Sequence, residues 1–375
     1  SKRVSPPSRH QSVAILAQVS LASWPMFDYD ELPEDGQDVS NVAGDTGAKR
    51  ANLPPLPRCI GLPGIEHAPG KKATVFRRMF PEPPCRHVRA RLFCFYGVAD
   101  SFAAWLPLCA GAPAWAEAAV HEARAHGFRE EEPADESLEE RAADAWEALH
   151  TAFAQHSPAG EAAGAPFGLL AHGSGVWLMC LVARRLRSEL GLEPAVVFIN
   201  DGAPPGARML SSEGCELLNE DAYSFFATFN PEICRIYDAS KGAGSKAGVA
   251  TFNRWTNDMR IMECHCPQEK YHVFSCPVHV FVAMRSWDED NAFRGNGSMS
   301  AQERSAHLKR ARLTGSAKDS VATWDLDVLQ EWRSWTTGTY EEHRIVADHF
   351  GVKLHSELQA TIWSELSRHC DTPGV

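Results

Sequence analysis

The apolar run Phe167 to Ala171 passes through the turn His172-Gly173-Ser174-Gly175 directly into a helical stretch, Val176 to Leu190. That stretch carries Arg184, Arg185 and Arg187 near its end, where cations favour a helix C-terminus, and it stops at Gly191, a residue suited to a left-handed cap. Strand, tight turn and helix form the repeating unit of α/β folds. A further apolar run, Ala195 to Ile199, follows within βαβ spacing, and another, Val278 to Met284, comes after a variable region. This order predicts a mostly parallel sheet with helices on both faces.

The rest of the chain arranges itself around that unit. Residues 1–86 are rich in Pro, Gly, Asp and Ser, with Pro54-Pro55, Pro63-Gly64 and Pro83-Pro84 breaking any long element, so an irregular N-terminal extension is expected there. The folded domain is expected over 87–371, opening with a strand over Val88 to Phe95. Leu138, Ala142, Trp146, Leu149 and Phe153 mark one face of a helix, and Ser137 with Glu140 forms a capping box at its start. A lid of broken helical patches is expected at about 205–276 and a polar surface insertion at about 291–320. Leu354, Leu358, Ile362 and Leu366 mark a closing helix.

Composition narrows the function. A formal net charge of −11 argues against binding nucleic acid, whose phosphates demand a basic face. No run approaches the ~18 apolar residues of a membrane span. The eleven cysteines follow no repeated framework, and Cys264 and Cys266 are separated by a single residue, short of zinc spacing. Free thiols in a reducing, cytoplasmic setting and no metal are therefore expected. The chain begins at Ser1 rather than Met, which leaves an upstream targeting segment open.

The run PFGLLAHGSGVWLMCLVARR, Pro166 to Arg185, has the layout of the nucleophile elbow of an α/β-hydrolase, in which Gly-x-Ser-x-Gly keeps side chains out of a crowded turn. Together with RLFCFYGVADS (Arg91 to Ser101), AVVFINDGAPP (Ala195 to Pro205), HVFVAMRSWDED (His279 to Asp290), LQEWRSW (Leu329 to Trp335) and RIVADHFGVKL (Arg344 to Leu354), it resembles the type II thioesterases. These stand-alone hydrolases act beside polyketide, nonribosomal-peptide and fatty-acid synthases. The resemblance implies an α/β-hydrolase domain with a lid, an acyl thioester substrate, an acyl carrier protein as partner and no cofactor. It puts the acid at Asp288, the base at His349 and an oxyanion donor at Val98, with Gly173 and Gly175 in the elbow.

The departures from that pattern fall at the chemistry. Aligned without a gap, the nucleophile position holds Gly173, and the one hydroxyl, Ser174, comes a residue late. One step at a helix start rotates a side chain by about 100°, so Ser174 is either a displaced nucleophile in a shifted elbow or a first-turn helix serine. Loss of a triad nucleophile costs on the order of 10⁶ in turnover. Asp100 stands where the family has a glycine, and a carboxylate turned toward a developing oxyanion would be unfavourable. His349 reads either as general base or as a structural histidine beside Phe350. Asp288 competes with Glu289 and Asp290 as the acid. His172 and Cys180 read as packing residues. Two readings stand: an acyl thioester hydrolase, and a silent homologue that binds an acyl chain or carrier protein.

Overall fold

The computed structural model describes residues 58–61, 76–80, 88–154, 165–244, 246–264, 274–284, 309–310, 312–314, 324 and 326–370. The chain divides into the units Ser1–Lys49 and Arg50–Val375, and every described residue lies in the second. Its strands are β1 (Arg58–Gly61), β2 (Phe76–Phe80), β3 (Ala90–Phe95), β4 (Ala116–His121), β5 (Phe167–His172), β6 (Val196–Asn200), β7 (Val278–Ala283) and β8 (Tyr340–Ile345). They form one eight-stranded sheet in the order β1-β2-β4-β3-β5-β6-β7-β8. β1 and β2 pair antiparallel at one edge, and β4 through β8 run parallel. The chain has the α/β-hydrolase fold.

The inner strands are largely apolar because both faces are covered. Every residue of β3, β4, β5, β6 and β7 is buried. Alternate residues feed two cores: Phe93, Leu169, Val197 and Val280 face one side, and Leu92, Leu170, Phe198 and Phe281 the other. The first side is covered by α1 (Leu138–Ala154) and α2 (Gly175–Leu190). The second is covered by α7 (Ser356–Cys370), which buries Leu358, Ile362 and Leu366. Leu354 precedes that helix and is exposed. At the start of α1 the Ser137 hydroxyl accepts the Glu140 amide at 3.1 Å, while the Glu140 carboxylate accepts from Glu136, one residue upstream of the expected cap.

Two corrections to the sequence reading concern the edges. β1 and β2 lie inside the stretch expected to be irregular, and Phe76 is fully buried against Phe93, Phe95 and His121. The prolines break long elements but leave room for four- and five-residue strands that gain their stability from pairing with β4. The lid is also more ordered than broken patches. It comprises α3 (Ser212–Glu220), α4 (Ala222–Phe229), α5 (Pro231–Gly242) and α6 (Lys246–Asp258), followed by a π-helical turn, Met259–Glu263. Ser211, Asp221 and Asn230 cap the first three, each side chain accepting a backbone N–H of the first turn. Leu218, Phe225, Phe226, Ile233, Phe252 and Met259 give the lid its own core. Leu313, within the expected surface insertion, is buried in that core.

Candidate active site

β5 ends at His172, and α2 begins at Gly175, so the turn between them is a single sharp bend. Its φ at Gly173 is +53°, in the left-handed region where a Cβ is penalised. Gly173 N–H donates to Asn200 O at 3.0 Å, fastening the bend to the end of β6. The crowding expected of an elbow is present: a Cβ on Gly175 would lie 2.5 Å from the Tyr96 carbonyl, and one on Gly202 would lie 2.5 Å from that of Gly173.

His349 lies in the turn that follows β8 and faces this bend. A Cβ built at Gly173 would lie 3.3 Å from both Cε1 and Nε2 of His349. On its other side the ring donates Nδ1–H to Asp201 Oδ2 at 2.6 Å. A carboxylate can only accept, so this bond places the proton on Nδ1 and leaves Nε2 as the basic nitrogen aimed at the bend. Asp201 is fully buried and held in place by its neighbours: Ala283 N–H donates to its Oδ1 at 3.1 Å, and its own N–H donates to Phe281 O at 2.8 Å. Its φ of +46° is a conformation that aspartate tolerates better than most residues.

The residues singled out in the sequence distribute as follows. Gly173, Gly175 and His349 come together. Ser174 is buried, and its Oγ has no hydrogen-bond partner among the described residues, so it is not bonded to His349. Asp288, Glu289 and Asp290 lie outside the described residues, and the position on His349 Nδ1 is held by Asp201 instead. Sequence reasoning passed over Asp201 although it follows an apolar strand in FINDG and stands at the carboxyl end of β6, next to the elbow strand, where α/β sheets gather functional groups. Val98 is partly buried and packs against both the main core and the lid core, and Gly97 brings that loop close enough for an added Cβ to lie 3.8 Å from Ser174 N. Asp100 bonds Lys353 Nζ at 2.6 Å, which neutralises the carboxylate that would otherwise oppose an oxyanion.

His172 and Cys180 are both buried. The His172 ring lies 4.4 Å from that of His349, and burial, reinforced by the His349 and Lys353 charges, holds it well below the usual histidine range. Burial pushes the Cys180 thiol far up, away from nucleophile chemistry. His265 and Cys266 lie outside the described residues. Arg185 and Arg187 pair with Glu189 and Glu193 on their own surface.

A charged network, unforeseen in the sequence, ties the lid to the loop after β3. Asp258, the last residue of α6, is fully buried and accepts from Ala99 N–H at 2.7 Å, from His126 Nε2 at 2.9 Å and from Arg141 at 2.8 Å. Burial alone would raise its carboxyl, but the Arg141 charge and the His126 contact hold it well below the usual carboxylate range.

The fold superposes on solved structures of thioesterases. The RedJ thioesterase of the prodiginine biosynthetic pathway in Streptomyces coelicolor superposes with a TM-score of 0.53 at 17% identity, over 81% of this chain and 92% of that one. BorB, the type II thioesterase of the borrelidin cluster, gives 0.53 at 14% identity over 79% and 100%. YbtT, a type II thioesterase of the yersiniabactin pathway, gives 0.53 at 16% identity over 77% and 97%. No protein-family profile and no curated protein sequence matches the chain.

Proposed function

We propose that this protein hydrolyses acyl thioesters, with water rather than a serine as the attacking nucleophile. The observation that carries the reading is the His349–Asp201 pair, bonded at 2.6 Å, with Nε2 facing the space where Gly173 lacks a side chain. A water in that space would give its proton to Nε2 as its oxygen attacks the thioester carbonyl carbon. Asp201 keeps the ring in the correct tautomer and stabilises the imidazolium. The tetrahedral oxyanion is assigned to the backbone N–H groups of Ser174, at the positive end of α2, and of Val98. Collapse breaks the carbon–sulfur bond, and the imidazolium returns its proton to the leaving thiolate, giving a carboxylic acid and a free thiol.

General-base action of this kind is worth roughly 10² to 10⁴ in rate, well short of a complete triad. Turnover should therefore be slow. A second reading, a silent homologue that binds an acyl chain or carrier protein, is favoured by the absence, among the described residues, of a hydroxyl bonded to His349, the Ser174 Oγ being without a partner there. The likeness to thioesterases of synthase pathways supports a carrier-bound acyl group as substrate under either reading.

The test is hydrolysis of a short acyl-pantetheine thioester by the purified chain and its variants. We expect His349→Ala to lower the rate by about 10²-fold or more and Ser174→Ala to leave it within about twofold. Absence of turnover in the parent protein, with retained binding of the thioester, would replace hydrolysis by the binding reading.

A further inference from the structure

On the α7 side of the sheet, β7 and edge strand β8 bring together a second set of candidate ligand atoms. The register pairs His279 with Glu341 and Phe281 with His343, so all three polar side chains share the α7 side of the sheet. His279 Nδ1 lies 3.1 Å from His343 Nε2 and 3.6 Å from Glu341 Oε2, and the three atoms fall within 4.8 Å of one another. Ligand atoms bound tetrahedrally at 2.0–2.1 Å are separated by roughly 3.3 Å, close to the two shorter distances.

The surroundings have the form of a ligand shell. A single imidazole N–H on Nδ1 of His279 could satisfy one neighbour, yet both an imidazole nitrogen and a carboxylate oxygen converge on it. The opposite nitrogen, Nε2, faces Glu365 Oε2 of α7 at 3.9 Å, and Glu365 is itself bonded by Arg368. Glu365 thus stands behind the ring beyond hydrogen-bond reach, and its own bond is to Arg368. The rings of Phe198, beside His279, and Phe281, stacked on His343 at 4.7 Å, hold the two imidazoles in orientation. His279 is buried, whereas Glu341 is 54% exposed and opens the cluster to solvent.

We propose that His279, His343 and Glu341 form a divalent-metal site that takes zinc with water as fourth ligand and fastens edge strand β8 to β7. The donor set of two nitrogens and one carboxylate oxygen suits zinc better than magnesium or calcium, which take oxygen ligands. The site lies apart from the elbow and supplies no step of the chemistry above; its effect is on the sheet edge. Sequence reading could not find it, because His279 stands more than sixty residues before Glu341 and His343, and Glu-x-His alone is not a distinctive ligand motif.

The experiment is zinc titration of the chelator-treated full chain, followed by metal content, thermal unfolding and zinc-edge X-ray absorption. We expect one zinc per chain, a raised Tm, and nitrogen and oxygen ligands near 2.0–2.1 Å. His343→Gln and Glu341→Gln, both on edge strand β8, should each abolish the Tm rise. The proposal is overturned if the parent binds no zinc, if its zinc is ligated by sulfur near 2.3 Å, or if both edge variants, folded by circular dichroism, bind it as the parent does.

Discussion

A missing side chain at position 173 leaves a poised histidine with nothing covalent to activate. Glycine relieves the backbone there: a serine at φ +53° would be strained by roughly 1–2 kcal/mol. Its Cβ, however, would stand 3.3 Å from His349 Nε2, close enough for a hydroxyl to bond that nitrogen after a small shift of the ring. Gly173→Ser should accordingly raise thioester turnover by at least about 10²-fold and lower stability by about 1–2 kcal/mol, read by steady-state kinetics and urea unfolding. A variant that folds but gains no activity would mean that His349 is not aligned as a base. The glycine at the turn was legible in the sequence because the elbow is a local pattern, whereas His349 was named only through the resemblance of its stretch to the family's closing motif. Asp201 was not legible, because a carboxylate's partner is set by which strand ends adjoin in the sheet.

Between elements, the contact that matters most is the carboxylate of Asp258, which joins α6 of the lid to Arg141 of α1 and to the backbone at Ala99, itself at φ +56°. The loop that carries Val98 is thus held by a lid residue, and lid order and oxyanion-loop order should rise and fall together. Asp258→Asn takes one of two buried carboxylates from Arg141 and leaves Asp135 as the other, a loss of about 3 kcal/mol, at the low end for a broken buried pair. Hydrogen exchange should then quicken both in the lid helices and at Val98 to Asp100. Quickening confined to the lid would show that the loop is held by other contacts. The strands and helices with a strong period were readable from sequence, including β5, β6, β7, α1 and α7. β4, rich in alanine, and β8, polar at the edge, carry no such signal, and their identity comes from their neighbours in the sheet.

For the molecule as a whole, the buried His121 is one contributor to the response to acid. His121 is enclosed by Phe76, Phe95 and Tyr96, and burial pushes it down to about 3. An unfolded histidine titrates near 6.5, so between the two values the unfolded chain binds the extra proton. The stability contributed by neutral His121 is therefore complete above about pH 6.5 and declines as pH falls toward 3. Urea unfolding at pH 4.5 should show a loss of roughly 2–3 kcal/mol relative to pH 7 from this residue, and His121→Phe should remove that part of the slope. An unchanged slope in the variant would assign the acid response to other groups.

Of all these, the most direct measurement follows intact protein mass during thioester turnover, alongside treatment with a serine-reactive fluorophosphonate. Hydrolysis without an acyl adduct, and without phosphonylation of Ser174, is the result expected of water attack directed by His349 and Asp201. An adduct on Ser174 that requires His349 would contradict it and make the displaced serine the nucleophile.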